Sequence, residues 1–253
     1  MKQRKETKRA IQNRKFWFGC LKAILRTFFR RRYFLYLGEK PTEKSIIFSN
    51  HVAASGPIFF ELYSQFKMRF WGTYEMTKGY KTVYKYLRVT YLHNKKHMPL
   101  WLTSILAVII APFTMIFYKG MKLIPTYKDI SFYKTVKATE KALNSGENVI
   151  IFPEDSHSGY KDELTHFYNG GFYAADKYFE KNEDLTIFNC YYVKKHRTYF
   201  ITEGIKFSEL KEKFSGNYDA MADAFCKESN EMGIKYRAMD KIEIKKLLKN
   251  SRK

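Results

Sequence analysis

Acidic residues are scarce: 25 Asp and Glu stand against 46 Lys and Arg, giving a formal charge of +21 and a pI of about 9.7. So basic a chain is drawn to an anionic partner, either a membrane face or a nucleic acid. Cysteine is scarcer still. Cys20, Cys190 and Cys226 share no paired or metal-ligand spacing, which excludes a disulfide framework and a zinc site and predicts unlinked thiols in a reducing compartment. The N-terminus lacks a compact apolar core followed by a small-residue cleavage site, so secretion is not expected. No internal repeat and no sign of a second core are visible. A chain of 253 residues then suits one α/β domain with an appendage.

What is abundant is aromatic side chain, 18% of the residues. Met1 to Tyr36 carries twelve Lys or Arg against one Glu, and from Phe16 onward large apolar residues are mixed among them. On a helix, Lys15, Gly19, Lys22, Arg26 and Arg30 form one stripe, with Trp17, Phe18, Leu21, Ile24, Leu25, Phe28 and Phe29 around the other side. Residues 1–40 therefore read as a basic amphipathic segment that lies on an anionic membrane surface. Pro99 to Tyr118 is an uncharged run of twenty residues flanked by Lys95, Lys96 and His97 before and by Lys119 and Lys122 after. Its length just reaches a bilayer span, but Pro112 predicts a kink or two shorter helices. The reading favoured is a helix lying in the interface or inserted from one side, because a span would part the polar clusters on either side of it.

Ser45 to Ser49 and Asn148 to Phe152 are short continuous apolar runs that read as buried strands. Each ends in a polar cluster, Asn50-His51 and Pro153-Glu154-Asp155-Ser156-His157. A helix Ile58 to Phe70, led by Pro57, is expected after the first. Met121 to Pro125 reads as a strand and Ser131 to Asn144 as a helix with Ser131 as its cap and Gly146 beyond its end. Glu163 to Phe179 reads as a helix interrupted at Gly170-Gly171, and strands Thr186 to Val193 and Thr198 to Phe207 flank a turn at 194–197. Strands alternating with helices predict an α/β fold with a central, mostly parallel sheet over residues 41–210, the apolar insertion 99–118 included, followed by a helical tail at 211–253. In such sheets ligands bind at the carboxyl ends of the strands. His51 beside a carboxylate suits a general base toward a hydroxyl, and Lys128 with the helix start after Gly56 suits an anionic group.

These clusters resemble the sequence blocks of the glycerolipid acyltransferases, which include 1-acyl-glycerol-3-phosphate (lysophosphatidic acid) acyltransferase. The family's first block is Asn-His, four residues, then Asp-Pro. Asn50-His51-Val-Ala-Ala-Ser-Gly56-Pro57 is similar to it, with Gly56 where the family has its catalytic Asp. Lys122-Leu-Ile-Pro125-Thr-Tyr-Lys128 resembles the glycerol-phosphate block Gly-x-Ile-Pro-Val-x-Arg, and Phe152-Pro-Glu154-Asp-Ser156-His157-Ser158 resembles Phe-Pro-Glu-Gly-Thr-Arg-Ser. Ile187-Phe-Asn189-Cys190 looks like the fourth block without its Pro. The ordered likeness covers roughly residues 44–207.

The resemblance implies a membrane-associated acyltransferase. His51 takes the proton from a lysophospholipid hydroxyl, which attacks the thioester of acyl-CoA or acyl carrier protein, and no metal or resident cofactor is implied. Asn50, Ser55, Lys128, Glu154, Ser156 and His157 are the implied substrate-binding residues. With Gly56 unable to orient the imidazole, Asp155 is the expected substitute. Ser55 is a second partner for the ring, and Glu61, further along its helix, should point elsewhere. The alternative is an acyltransferase-fold protein that binds lipid without catalysis. A nucleic-acid partner is not expected, because the basic residues gather on an aromatic amphipathic helix and the long apolar run has no role there. The partners expected are membrane phospholipids and an anionic membrane surface, with acyl carrier protein a candidate donor. The setting that suits these features is the cytoplasmic face of a bacterial inner membrane.

Overall fold

Runs of residues apolar on both sides need cover on both sides, and the centre of the molecule is such a sheet. The computed structural model describes residues 14–42, 44–52, 55–155 and 162–250, without the side chains of Ser55 and Asn250. Its strands are β1 (Tyr33–Tyr36), β2 (Ser45–Ser49), β3 (Met68–Thr73), β4 (Ile124–Thr126), β5 (Asn148–Ile151), β6 (Thr186–Val193), β7 (Thr198–Ile201) and β8 (Ile205–Lys206). They form one sheet in the order β1-β7-β6-β2-β5-β3-β4, with β8 on β6. Pairing is parallel except where β6 meets β7 and β8. The fold is α/β with a mostly parallel sheet.

The helices are α1 (Phe16–Phe28), α2 (Ser55–Tyr63), α3 (Tyr80–Lys85), which continues as a π-helical stretch Tyr86–Lys95, α4 (Leu100–Met121), α5 (Phe132–Asn144), α6 (Gly170–Phe179), α7 (Phe207–Lys213), α8 (Tyr218–Ala238) and α9 (Lys241–Asn250). On one face Ile46 and Phe48 pack with Leu143, Phe172, Phe225 and Ile244. Ile47, between them in β2, faces the other way, toward Phe18, Phe60, Phe117 and Tyr199. Residues 211–250 pack in the first layer, with Tyr236 stacked on Phe200 at 3.8 Å.

Several expectations need correction. The helix predicted over 58–70 stops at Tyr63, and Met68 to Thr73 is β3, whose alternation of buried Met68 and Phe70 with half-buried Arg69 and Trp71 is a strand period. The amphipathic helix ends at Phe28, and Tyr33 to Tyr36 is instead β1, paired with β7. Residues 164–169 are not helical: Phe167 bridges Glu154, and the helix begins at Gly170. The final strand is broken after Ile201, and Phe207 opens α7. Ser131 makes no capping bond with its side chain; Asp129 accepts from the Ser131 N–H instead. Val83, Leu87, Leu92, Ala107 and Ala111 form a small cluster of their own, a satellite core that the sequence had not disclosed.

α4 is one continuous helix through Pro112. Thr103, Ala107 and Ala111 form its buried stripe, while Trp101, Ile105, Val108, Ile109 and Phe113 are exposed. The strands before and after it, β3 and β4, are hydrogen-bonded parallel neighbours with Trp71 opposite Ile124. Both flanks of the apolar helix thus belong to one sheet and lie on the same side of whatever the helix meets.

α1 seats parts of both its sides on the body. Of its basic stripe Lys22 is buried on Glu61 and Arg26, itself exposed, donates to the Leu62 carbonyl at 2.7 Å, while Lys15 and Arg30 stay exposed. Of its apolar side Phe18 enters the core against Phe117 of α4, with Leu21 and Leu25 half-buried beside it. Phe16, Ile24 and Phe28 are left facing outward, at 89%, 56% and 78% exposure.

Candidate functional site at the carboxyl ends of β2 and β5

β2 and β5 lie side by side with Phe48 opposite Ile151. Three residues past this pair come His51 and Glu154, so the register alone brings them to one level at the carboxyl end of the sheet. The His51 backbone N–H donates to the Glu154 carboxylate. The His51 ring lies 4.9 Å from that of Phe152, which stacks in turn on Phe70. Val52 follows with φ 42°, a strained conformation for a β-branched residue, at the turn out of the strand.

Asn50 is buried, and its amide is engaged at both ends by the Tyr192 backbone: Oδ1 accepts from the N–H at 2.7 Å and Nδ2 donates to the carbonyl at 3.3 Å. It extends the β2–β6 pairing by one residue and so fixes where His51 leaves the sheet. Gly56 sits under the same loop. A Cβ there would lie 2.1 Å from the His51 carbonyl oxygen, so this backbone admits no side chain, aspartate included, at that position. Tyr199 holds the loop from below, its hydroxyl donating to the Gly56 carbonyl at 2.8 Å.

Glu154 is the electrostatic anomaly of the site. Its Oε1 is shut off from water and has no hydrogen-bond partner among the described residues. Burial pushes its carboxyl up to about 7, opposed by the His51 N–H and by Lys95. Lys95, at the end of the π-helical stretch, is itself pulled below the usual lysine range, first by burial and then by Lys128, while Glu154 and Asp155 act the other way. The Tyr168 hydroxyl donates to the Asp155 carboxylate, and burial followed by that carboxylate raises the phenol. The segment 164–168 is folded back to make this contact, its backbone paired through Tyr168 N–H to the Pro153 carbonyl and Asp155 N–H to the His166 carbonyl.

Of the residues expected from sequence, His51, Glu154, Asp155 and Lys128 belong to this one end of the sheet, while Asn50 acts through the backbone of β6. Ser156, His157 and the Ser55 side chain lie outside the described residues. Lys95, Tyr168 and Phe152 were missed. Lys95 ends a π-helical stretch, a feature that gathers at functional sites but is visible only in the structure. His196, in the turn between β6 and β7, is buried, and burial lowers its imidazole. Glu61 points away to Arg14 and Lys22, as its helical position predicted. Among the described residues no three His, Cys, Asp or Glu gather as a metal site.

The arrangement offers a histidine at the ends of the central strands, a carboxyl that burial raises to about 7, Lys95 coupled to that carboxyl and Lys128 coupled to Lys95. No protein-family model matches the chain, and no curated protein matches it.

Proposed function

We propose that the protein is a membrane-associated O-acyltransferase that moves a fatty acyl group from acyl-CoA or acyl carrier protein to the hydroxyl of a lysophospholipid such as 1-acyl-glycerol-3-phosphate. The observation that carries this reading is the meeting of His51 and Glu154 at the ends of adjacent central strands, with Lys95 electrostatically coupled to Glu154 and Asp155 and Lys128 coupled in turn to Lys95. In the reaction His51 accepts the hydroxyl proton as the new C–O bond forms. The thioester C–S bond breaks, and the departing thiolate takes the proton back from the imidazolium. Lys95 and Lys128 supply the positive charge that an acceptor phosphate needs. Membrane association rests on the outward apolar faces of α1 and α4, which touch through Phe18 and Phe117. The cytoplasmic face of a bacterial inner membrane, and a single domain spanning sheet and insertion, belong to the same proposal.

The test is transfer of labelled acyl groups from both donors to lysophosphatidic acid by the full chain in detergent or vesicles. His51→Ala should reduce turnover by about 10²–10⁴-fold, the range for a general base. Asp155→Asn and Tyr168→Phe beside it ask whether Asp155 orients the imidazole; equal turnover in Asp155→Asn and the parent chain removes it from that role.

One observation favours the second reading, a lipid-binding protein without transfer: the His51 carbonyl occupies the space that an orienting carboxylate at position 56 would need. Lysolipid binding without turnover for any donor would decide for it.

A further inference from the structure

At the opposite end of the sheet, where α2 runs out and β3 begins, a cleft of about 440 Å³ opens against the inward face of α1. Arg14, Lys22, Arg26, Arg31 and Lys67 line it, with Glu61 the one carboxylate among them. Glu61 is fully buried and already takes two partners, Arg14 Nη2 at 2.8 Å and Lys22 Nζ at 2.8 Å. Two nearly buried cations, their side chains 6% and 10% exposed, thus share a single anion. Arg14 Nε also donates to Glu61 and Nη2 to the Met68 carbonyl, but Nη1 is buried and has no partner among the described residues. A desolvated guanidinium N–H without an acceptor is costly, and the cluster is left with excess positive charge in a region of low dielectric.

We propose that this cleft binds a phosphate group, supplied by an anionic lipid headgroup, at a site separate from His51. A phosphate oxygen supplies the acceptor that Arg14 Nη1 lacks, and the planar fork of arginine suits that geometry. The cleft is large enough for a headgroup with its glycerol. Phe29, Leu62 and Phe66 also line it, so an apolar stem has a wall to follow, and the other side of α1 carries the exposed Phe16, Ile24 and Phe28. None of the residues lining this cleft takes part in the proposed acyl transfer.

The experiment titrates the full chain with dihexanoyl phosphatidate below its micelle concentration, and separately with inorganic phosphate and dihexanoyl phosphatidylcholine, by calorimetry and by competition between the first two. The double variant Arg31→Gln/Lys67→Gln, which leaves the buried triad intact, should weaken phosphatidate binding about tenfold, and Arg14→Lys should weaken it further if it folds. Phosphatidylcholine should bind far more weakly. Phosphatidate binding that inorganic phosphate displaces only at much higher concentration supports the lipid headgroup. Equal affinity for inorganic phosphate keeps the phosphate site but overturns its lipid source. Binding of neither anion, or phosphatidate binding unchanged in the double variant, overturns the site. Phosphatidate is also the product of the proposed transfer, so Lys95→Gln/Lys128→Gln is titrated beside these: the binding lost in Arg31→Gln/Lys67→Gln should persist in it, which separates failure here from failure of the acyltransferase reading.

Discussion

Glu61 and Glu154 are both carboxylates with oxygens shut off from water, near opposite ends of one sheet, and they are treated in opposite ways. Glu61 is matched by two cations and locks α1 to the body of the molecule. Glu154 keeps Oε1 without a partner among the described residues, and burial lifts its carboxyl to about 7. A buried charge that is fully paired is a structural bolt, whereas one left short of partners stores free energy in a group able to exchange a proton. The contrast separates an architectural end of the sheet from a chemical end.

The largest effect expected from breaking the contrast is at the paired end. Glu61→Gln leaves the Arg14 and Lys22 charges buried without their counter-ion, and removing one partner of a buried pair costs about 3–5 kcal/mol. Urea denaturation should show that loss at neutral pH. A loss below about 1 kcal/mol, the range of surface pairs, would mean that α1 is not anchored by the triad.

Glu154 should behave in the reverse sense. Its carboxyl rises from an ordinary 4.5 to about 7 in the folded chain, so between those pH values the folded state holds more proton than the unfolded one. The group's full contribution is then present below about 4.5 and is lost as pH rises through about 7, a difference of about 3 kcal/mol. Glu154→Gln, which mimics the protonated form, should leave stability at pH 4.5 unchanged and raise it at pH 8 by up to that amount. Parallel pH–stability curves for the two proteins would show that Glu154 is not held in its neutral form.

Gly56 sharpens the comparison from beside the chemical end. With the His51 carbonyl 2.1 Å from the place of a Cβ, Gly56→Ala must push the backbone at His51 outward, at an overpacking cost of about 1–3 kcal/mol. Gly56→Asp, which the sequence resemblance suggests as a repair, should lower rather than restore turnover, because its own backbone clash moves His51. A Gly56→Asp protein as stable as the parent and more active would overturn that reading.

How much of this was legible in the sequence follows from what a linear pattern can carry. β2 and β5 announce themselves because burial on both faces writes an unbroken apolar run, and β6 because its run of large apolar residues is broken only at Asn189. β1 and β3 do not. Tyr33 to Tyr36 follows Arg30, the last residue of the helical stripe, and the strand alternation of Met68 to Thr73 is short and lies close behind a helix. His51, Glu154 and Lys128 were visible as strand-end residues, whereas Lys95 joins them only because the satellite helices fold back over β5. α1 was legible as a helix with an apolar and a basic side, but its seating depends on a buried acid on a different helix, Glu61, which draws Lys22 inward beside Phe18.

The outward-facing residues of α1 yield the smallest expected effect on stability. Ile24 and Phe28 project from α1 at 56% and 78% exposure, away from the Glu61 triad, so Ile24→Ser/Phe28→Ser should change folding stability by no more than about 0.5 kcal/mol per site. If the face meets lipid, each side chain contributes about 1.5–3 kcal/mol of transfer on burial, and vesicle affinity should fall at least about tenfold per site. Turnover of a short-chain acceptor in free solution should be unchanged, since neither residue reaches the strand ends. Vesicle cosedimentation across a salt series reads the first effect, and the solution assay reads the second. Undiminished vesicle binding in the double variant would move the membrane contact from α1 to the exposed face of α4, where Trp101, Ile109 and Phe113 become the residues to replace.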